Sequence, residues 1–129
     1  MSDNRTVDDL VMWLRAQLDE DERVAQRVRS ETEGTWAWTY RNVHAVKTDG
    51  TTEPIASTDT GAQAVYFGLW NPDRVLAEVD AKQRIVDSFA ASTEPLTART
   101  AEKAVARMVL KLLALPYADR PGYRDEWRP

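Results

Sequence analysis

The sequence predicts an α+β fold: three main helices packed with a small two- or three-stranded antiparallel sheet, and a C-terminal tail docked on that body. Two rhythms carry the prediction. Apolar residues recur at three- and four-residue steps in the first quarter and the last half of the chain, whereas a middle stretch alternates with period two between turn signals. Length sets the scale. A chain of 129 residues is expected to form a single domain, residues 1–129. A domain of this size buries roughly two-thirds of its unfolded surface, enough for a core without staples.

The first helix is expected over residues 7 to 30, where Val7, Leu10, Val11, Leu14, Leu18, Ala25 and Val28 form one apolar stripe. Asp8 and Asp9 sit in its first turn and Arg27 and Arg29 near its end, as the helix macrodipole favours, and Gly34 supplies a stop. The period then changes. TWAWTYRNVHAV sets Trp36, Trp38 and Tyr40 at alternate positions among strand formers, which predicts all three rings on one face of a strand. Asp49-Gly50 signals a tight turn, and a second strand follows from Thr52 to Ser57, where Pro54 confines it to an edge. Thr60-Gly61 marks a further turn, and AQAVYFGLW, residues 62–70, is left open between a third strand and a helical or irregular lead-in.

Asn71-Pro72 starts the second helix, with an N-capping amide followed by proline at the first helical position. Val75, Val79, Val86 and Phe89 line one face as far as Ala91. Arg74 with Glu78, Glu78 with Lys82, and Asp80 with Arg84 stand four apart and support an exposed opposite face. STEP, residues 92–95, breaks the pattern. The third helix is expected from Leu96 to Leu115, with Ala101, Ala104, Val105, Met108, Leu112 and Leu115 on its apolar side and Pro116 as its end.

Composition narrows the chemistry. With 43% apolar and 29% charged residues the chain reads as folded rather than disordered. It has no cysteine, so a disulfide framework, a thiolate metal site and a cysteine nucleophile are excluded. His44 is the only histidine; zinc held by one chain would then need carboxylates for its other ligands, so His44 reads as an edge or loop residue without a special role. The run Asp19-Glu20-Asp21-Glu22 lacks the glycine and alternating ligands of a calcium loop and reads as a solvated helix face. No phosphate loop, dinucleotide fingerprint, nucleophile elbow or metalloprotease helix is present, so neither a cofactor nor a catalytic constellation is expected. MSDNRTVDDL lacks the basic and apolar regions of a signal peptide, and VARMVLKLLAL is broken by Arg107 and Lys111, so a cytoplasmic location without membrane association is expected. The net charge of −4 is uneven: residues 1–34 hold 9 acidic and 5 basic side chains, which disfavours non-specific nucleic-acid binding.

Three sets of residues stand out as places to bind or to brace. Arg99, Lys103, Arg107 and Lys111 recur every four residues as a basic stripe, which either faces water, pairs with the acidic first helix, or docks an acidic protein surface or phosphate backbone. Leu110 and Leu113 fall off the main apolar side of the same helix, so the tail or a second subunit must cover them, which makes a homodimer an expectation. In ALPYADRPGYRDEWRP, residues 114–129, Tyr117, Tyr123 and Trp127 stand among prolines that lower the entropy lost on docking; they read as anchors that clasp the tail to the helices. Trp36, Trp38 and Tyr40 read as core, the sharper alternative being a stacking platform for bases.

Three blocks carry a resemblance. NPDRVLAEVDAKQRIVD (71–87), LLALPYADRPGYRDEW (112–127) and DDLVMWLRAQLDEDE (8–22) resemble, in the same order, an uncharacterised family of small actinobacterial and actinophage proteins. Members of that family often carry two histidines just ahead of the proline-containing helix start; Tyr66 and Trp70 hold the matching positions here, so no histidine role carries over. The resemblance implies association with phage or mobile elements and no particular reaction. The function expected is that of a small cytoplasmic interaction protein with a host or self partner. The alternative is a nucleic-acid accessory protein using the Arg99–Lys111 stripe.

Overall fold

A long helix, a three-stranded meander and three further helices follow one another along the chain. The computed structural model describes residues 2–91 and 100–129, with side chains from residue 5. Its elements are α1 (Ser2–Glu31), β1 (Thr35–Thr39), β2 (Asn42–Val46), β3 (Thr52–Ser57), α2 (Gly61–Leu69), α3 (Pro72–Ala91) and α4 (Thr100–Ala114), followed by single 3-10 turns at Leu115–Tyr117 and Asp125–Trp127. The class is α+β. Among the described residues there are four helices rather than three, because residues 61–69 form one of their own. None of these helices is long and apolar enough to cross a membrane. The fold gathers into two compact units, one of residues up to Glu20 with Val79–Pro129, the other of Asp21–Glu78.

In the second of these units the sheet is antiparallel throughout, in the order β1-β2-β3. The alternating stretch expected to be one strand is a hairpin. Thr39 pairs with Asn42, which leaves only Tyr40 and Arg41 to turn the chain. Tyr40 takes φ 57°, a left-handed conformation that costs a bulky residue on the order of 1–3 kcal/mol, and it thereby leaves the sheet face that Trp36 and Trp38 share. The Arg41 carbonyl repays the strained turn by accepting from the Thr58 amide at 2.8 Å and the Thr58 hydroxyl at 3.0 Å. Val43 and Ala45 on the central strand are buried. Pro54 lies on the outer strand, opposite His44, where the ladder shifts register. At the β2–β3 turn the Thr51 hydroxyl and amide donate to the Asp49 carboxylate at 2.6 and 2.9 Å, holding that carboxyl below its ordinary pKa.

Residues 61–69 are helical because their start is capped. The Thr60 hydroxyl accepts from the Gln63 amide at 3.2 Å, and the Gln63 side-chain oxygen accepts from the Thr60 amide at 3.1 Å. α2 then buries Ala64 and Gly68. The second small residue has a reason: a β-carbon on Gly68 would stand 2.2 Å from Cε3 of Trp38. α3 follows at once, its first turn capped by the Asn71 side chain, which accepts from the Arg74 amide at 3.0 Å.

In the other unit, Val7, Leu10, Leu14 and Leu18 of α1, Val79 and Val86 of α3, and Ala106, Leu110 and Ala114 of α4 are buried. The α4 face is the reverse of the one expected. Val105, Met108, Leu112 and Leu115 are exposed, whereas Leu110 is fully buried and Leu113 half-buried. The buried row Ala106–Leu110–Ala114 runs at four-residue spacing and is two-thirds alanine. Its apolar signal is therefore weaker than that of the row of larger side chains on the far side. Between α1 and α3, Arg15 pairs with Asp87 and Gln83 donates to Asp19 at 3.2 Å.

Candidate interaction surfaces

The C-terminal aromatics meet a residue that the apolar stripe of α1 did not single out. Trp13 lies three residues beyond Leu10, on the flank of that stripe, and its ring centroid is 5.5 Å from those of both Tyr123 and Trp127. Those two stand edge to face at 5.7 Å. Such aromatic pairs add roughly 0.5–1.5 kcal/mol each beyond the area they bury. The Trp13 Nε1–H donates to the Pro121 carbonyl at 2.9 Å. Gly122, at φ 91°, lets the chain pass so close that a β-carbon there would stand 2.7 Å from that nitrogen. Arg124 bonds Asp9 at 2.9 Å, and this hydrogen bond raises the guanidinium pKa. The Arg120 guanidinium lies 4.6 Å over the Tyr117 ring, with the Lys82 ammonium 5.6 Å from the same ring. Tyr117 and Trp127 are buried and Tyr123 half-buried.

The exposed rings lie elsewhere, on the unit built around the sheet. α2 reads GAQAVYFGL, with no charged residue and a single polar one, Gln63, which is engaged in the cap. One side of the helix faces the sheet through Ala64 and Gly68. The other carries Tyr66, 64% exposed, with Phe67 and Leu69, and Trp70 follows at the C-cap; all four are exposed. Tyr66 contacts both Phe67 (6.5 Å) and Trp70 (6.4 Å) between centroids. Arg74, from the first turn of α3, stacks on Trp70 at 4.1 Å and also pairs with Glu78 at 3.5 Å. The hairpin tip separately exposes Tyr40, at 76%, with the Arg41 guanidinium 5.3 Å from its ring. A helix apolar all round needs cover on both sides, and here only one side has it.

The remaining sequence-predicted residues fall in other settings. Arg99 lies outside the described residues. Lys103, Arg107 and Lys111 sit half-buried on one flank of α4, and the Nε of Arg107 is buried. Leu110, at no exposure, is out of reach of any partner. His44 is half-buried on the sheet, paired across the ladder with Ala37. Among the described residues no group of histidine and carboxylate side chains is arranged to hold a metal ion. Sequence reasoning missed the outer face of α2, although two signals were present: the T-x-x-Q capping box at Thr60–Gln63, and a nine-residue run with no charge.

The chain belongs to a family of unknown function, DUF6221, whose model matches residues 7–129. No curated protein matches it. No solved structure matches it either.

Proposed function

We propose that this member of the family is a small binding protein that engages a protein partner through the aromatic outer face of α2, formed by Tyr66, Phe67, Leu69 and Trp70 with Tyr40 beside the sheet. The observation that carries the reading is a helix without a charged side chain whose far side stands open. Tyr, Trp and Arg are the residues that dominate interface hot spots, and Arg74 already holds the Trp70 ring in one orientation, which lowers the cost of ordering it on binding. A protein partner fits better than a nucleic acid. The cations beside these rings are Arg41 and Arg74, the second of them paired with Glu78, and the whole chain carries −4. A cytoplasmic setting and an association with phage or mobile elements belong to the same proposal; a sequence without cysteine is compatible with the first, and the family resemblance of the three sequence blocks supports the second.

The test compares wild type with the Tyr66→Ala/Trp70→Ala double variant. Proteins captured from a host lysate by each are identified, and the affinity of any wild-type-specific partner is then measured with purified components. Loss of two hot-spot rings is expected to weaken binding by at least ~30-fold, at about 2 kcal/mol or more in total. Thermal unfolding should change little, because both rings are exposed. A partner that binds the double variant as tightly as wild type sinks the proposal. So does retention on single-stranded RNA or DNA that falls with salt and with Lys103→Glu/Lys111→Glu, since the basic flank of α4 would then be the working surface.

A further inference from the structure

The face of α4 that the fold leaves open has the spacing of a helix-pairing seam. Ala101, Val105, Met108 and Leu112 follow one another at steps of four, three and four residues, alternate d and a positions of a heptad pattern, and Leu115 in the 3-10 turn after the helix continues the spacing. No member of the row is charged. All five are exposed, Val105 at 56% and Leu112 at 50%. The opposite row, Ala106, Leu110 and Ala114, is fully buried, so α4 is anchored to its own unit by one side and presents an apolar stripe from the other.

We infer that this seam pairs with the same seam of a second copy of the chain, antiparallel, about a two-fold axis passing between Val105 and Met108. The row tapers: alanine at its N-terminal end, leucine at its C-terminal end. A parallel pair would set Ala101 against Ala101, leaving that layer underfilled. The antiparallel pair sets Ala101 against Leu112 of the second copy and Val105 against Met108 of the second copy, so each layer holds one larger and one smaller side chain. A self-complementary surface of this kind closes on itself as an isologous dimer and does not propagate. Its partner chemistry is aliphatic and its partner shape a helix, which sets it apart from the aromatic face of α2; the two proposals rest on different residues and fail separately.

The stripe is one helix wide and narrower than the roughly 800 Å² per partner of a standard interface, so the dimer is expected to be weak, populated at about 100 µM and above and lost near ~1 µM. Sedimentation velocity of the full chain across that range should show the monomer–dimer exchange. Leu112→Glu should move its midpoint up at least tenfold without lowering the thermal unfolding midpoint. Because the natural chain has no cysteine, single-cysteine variants report the geometry directly. An equal mixture of Ala101→Cys and Leu112→Cys chains should oxidise to a mixed disulfide dimer. Leu112→Cys alone should not, because in the antiparallel pair its two copies stand ~16 Å apart along the helices. A monomer at every concentration overturns the inference. So does rapid self-crosslinking of Leu112→Cys, which requires a parallel pair, and so does a dimer that ignores Leu112→Glu but is lost with Tyr66→Ala/Trp70→Ala, which would move self-association to α2.

Discussion

Gly68→Ala separates local helix preference from packing, because the two predict opposite signs. Alanine inside a helix is favoured over glycine by up to about 1 kcal/mol, so propensity alone says that the change stabilises. Geometry says otherwise. The new β-carbon would stand 2.2 Å from Cε3 and 2.9 Å from Cζ3 of Trp38, far inside van der Waals contact. The atoms it meets belong to a rigid ring rather than the loose end of a flexible chain, so either the whole indole or α2 must move. Trp38 is 39% exposed, which lets the ring yield in part and caps the penalty. Overpacking of this kind costs roughly 1–3 kcal/mol, and subtracting a propensity gain of ~1 kcal/mol leaves a net loss of about 0–2 kcal/mol. In a Trp38→Ala background the obstacle is gone, and the same substitution should now stabilise by ~0.5–1 kcal/mol. The four proteins form a double-mutant cycle with a coupling near 2 kcal/mol, read by urea denaturation followed by far-UV circular dichroism. If Gly68→Ala stabilises the natural background, the close approach of α2 to β1 is wrong.

The tail supplies the other predictions. Trp127 is 1% exposed and packs on Trp13 and Tyr123, so Trp127→Ala should cost about 3–5 kcal/mol and Trp127→Phe markedly less; a loss below ~1 kcal/mol from the alanine variant, measured by denaturant titration, would show that the tail is not docked. Gly122→Ala meets two obstacles at once, a φ of 91° and the Trp13 indole nitrogen 2.7 Å away, and should destabilise by ~1–3 kcal/mol while amide exchange quickens through Pro121–Trp127; unchanged exchange would mean that the turn takes another path.

How much of this was legible in the sequence depended on whether a feature was local. The Asn71-Pro72 start of α3, the Asp49-Gly50 turn and the edge position of Pro54 follow from residues that act on their immediate neighbours, and the structure places each where those residues require. Alternation over Trp36, Trp38 and Tyr40 misled because period two continues through a two-residue turn: the count holds at Tyr40, but the backbone there is left-handed. The helix at 61–69 was hidden by its rings, since Tyr and Phe favour strands by propensity, and a capping box outweighs that preference in so short a segment. Trp13 was legible only together with its partners, more than a hundred residues away, and no local pattern joins them.

The reversal on α4 shows where periodicity runs out. A helix with apolar side chains on both faces announces that two things must cover it, but the pattern cannot say which cover the chain supplies itself. The larger residues were the natural choice for the core, yet the fold buries the alanine-rich row and leaves Val105, Met108, Leu112 and Leu115 outside. α2 repeats the situation with different chemistry, burying Ala64 and Gly68 and exposing Tyr66, Phe67 and Trp70. In both helices small residues make up most of the buried row, Leu110 being the large exception, while several larger side chains stand outside; burial alone would favour the reverse, since each large side chain brought out of water is worth about 1.5–3 kcal/mol. The two open faces are the surfaces on which the proposed partner and the proposed self-pairing rest. An aliphatic seam at heptad spacing suits a copy of itself, whereas clustered rings with a stacked guanidinium suit a surface that presents its own pocket or polar edge.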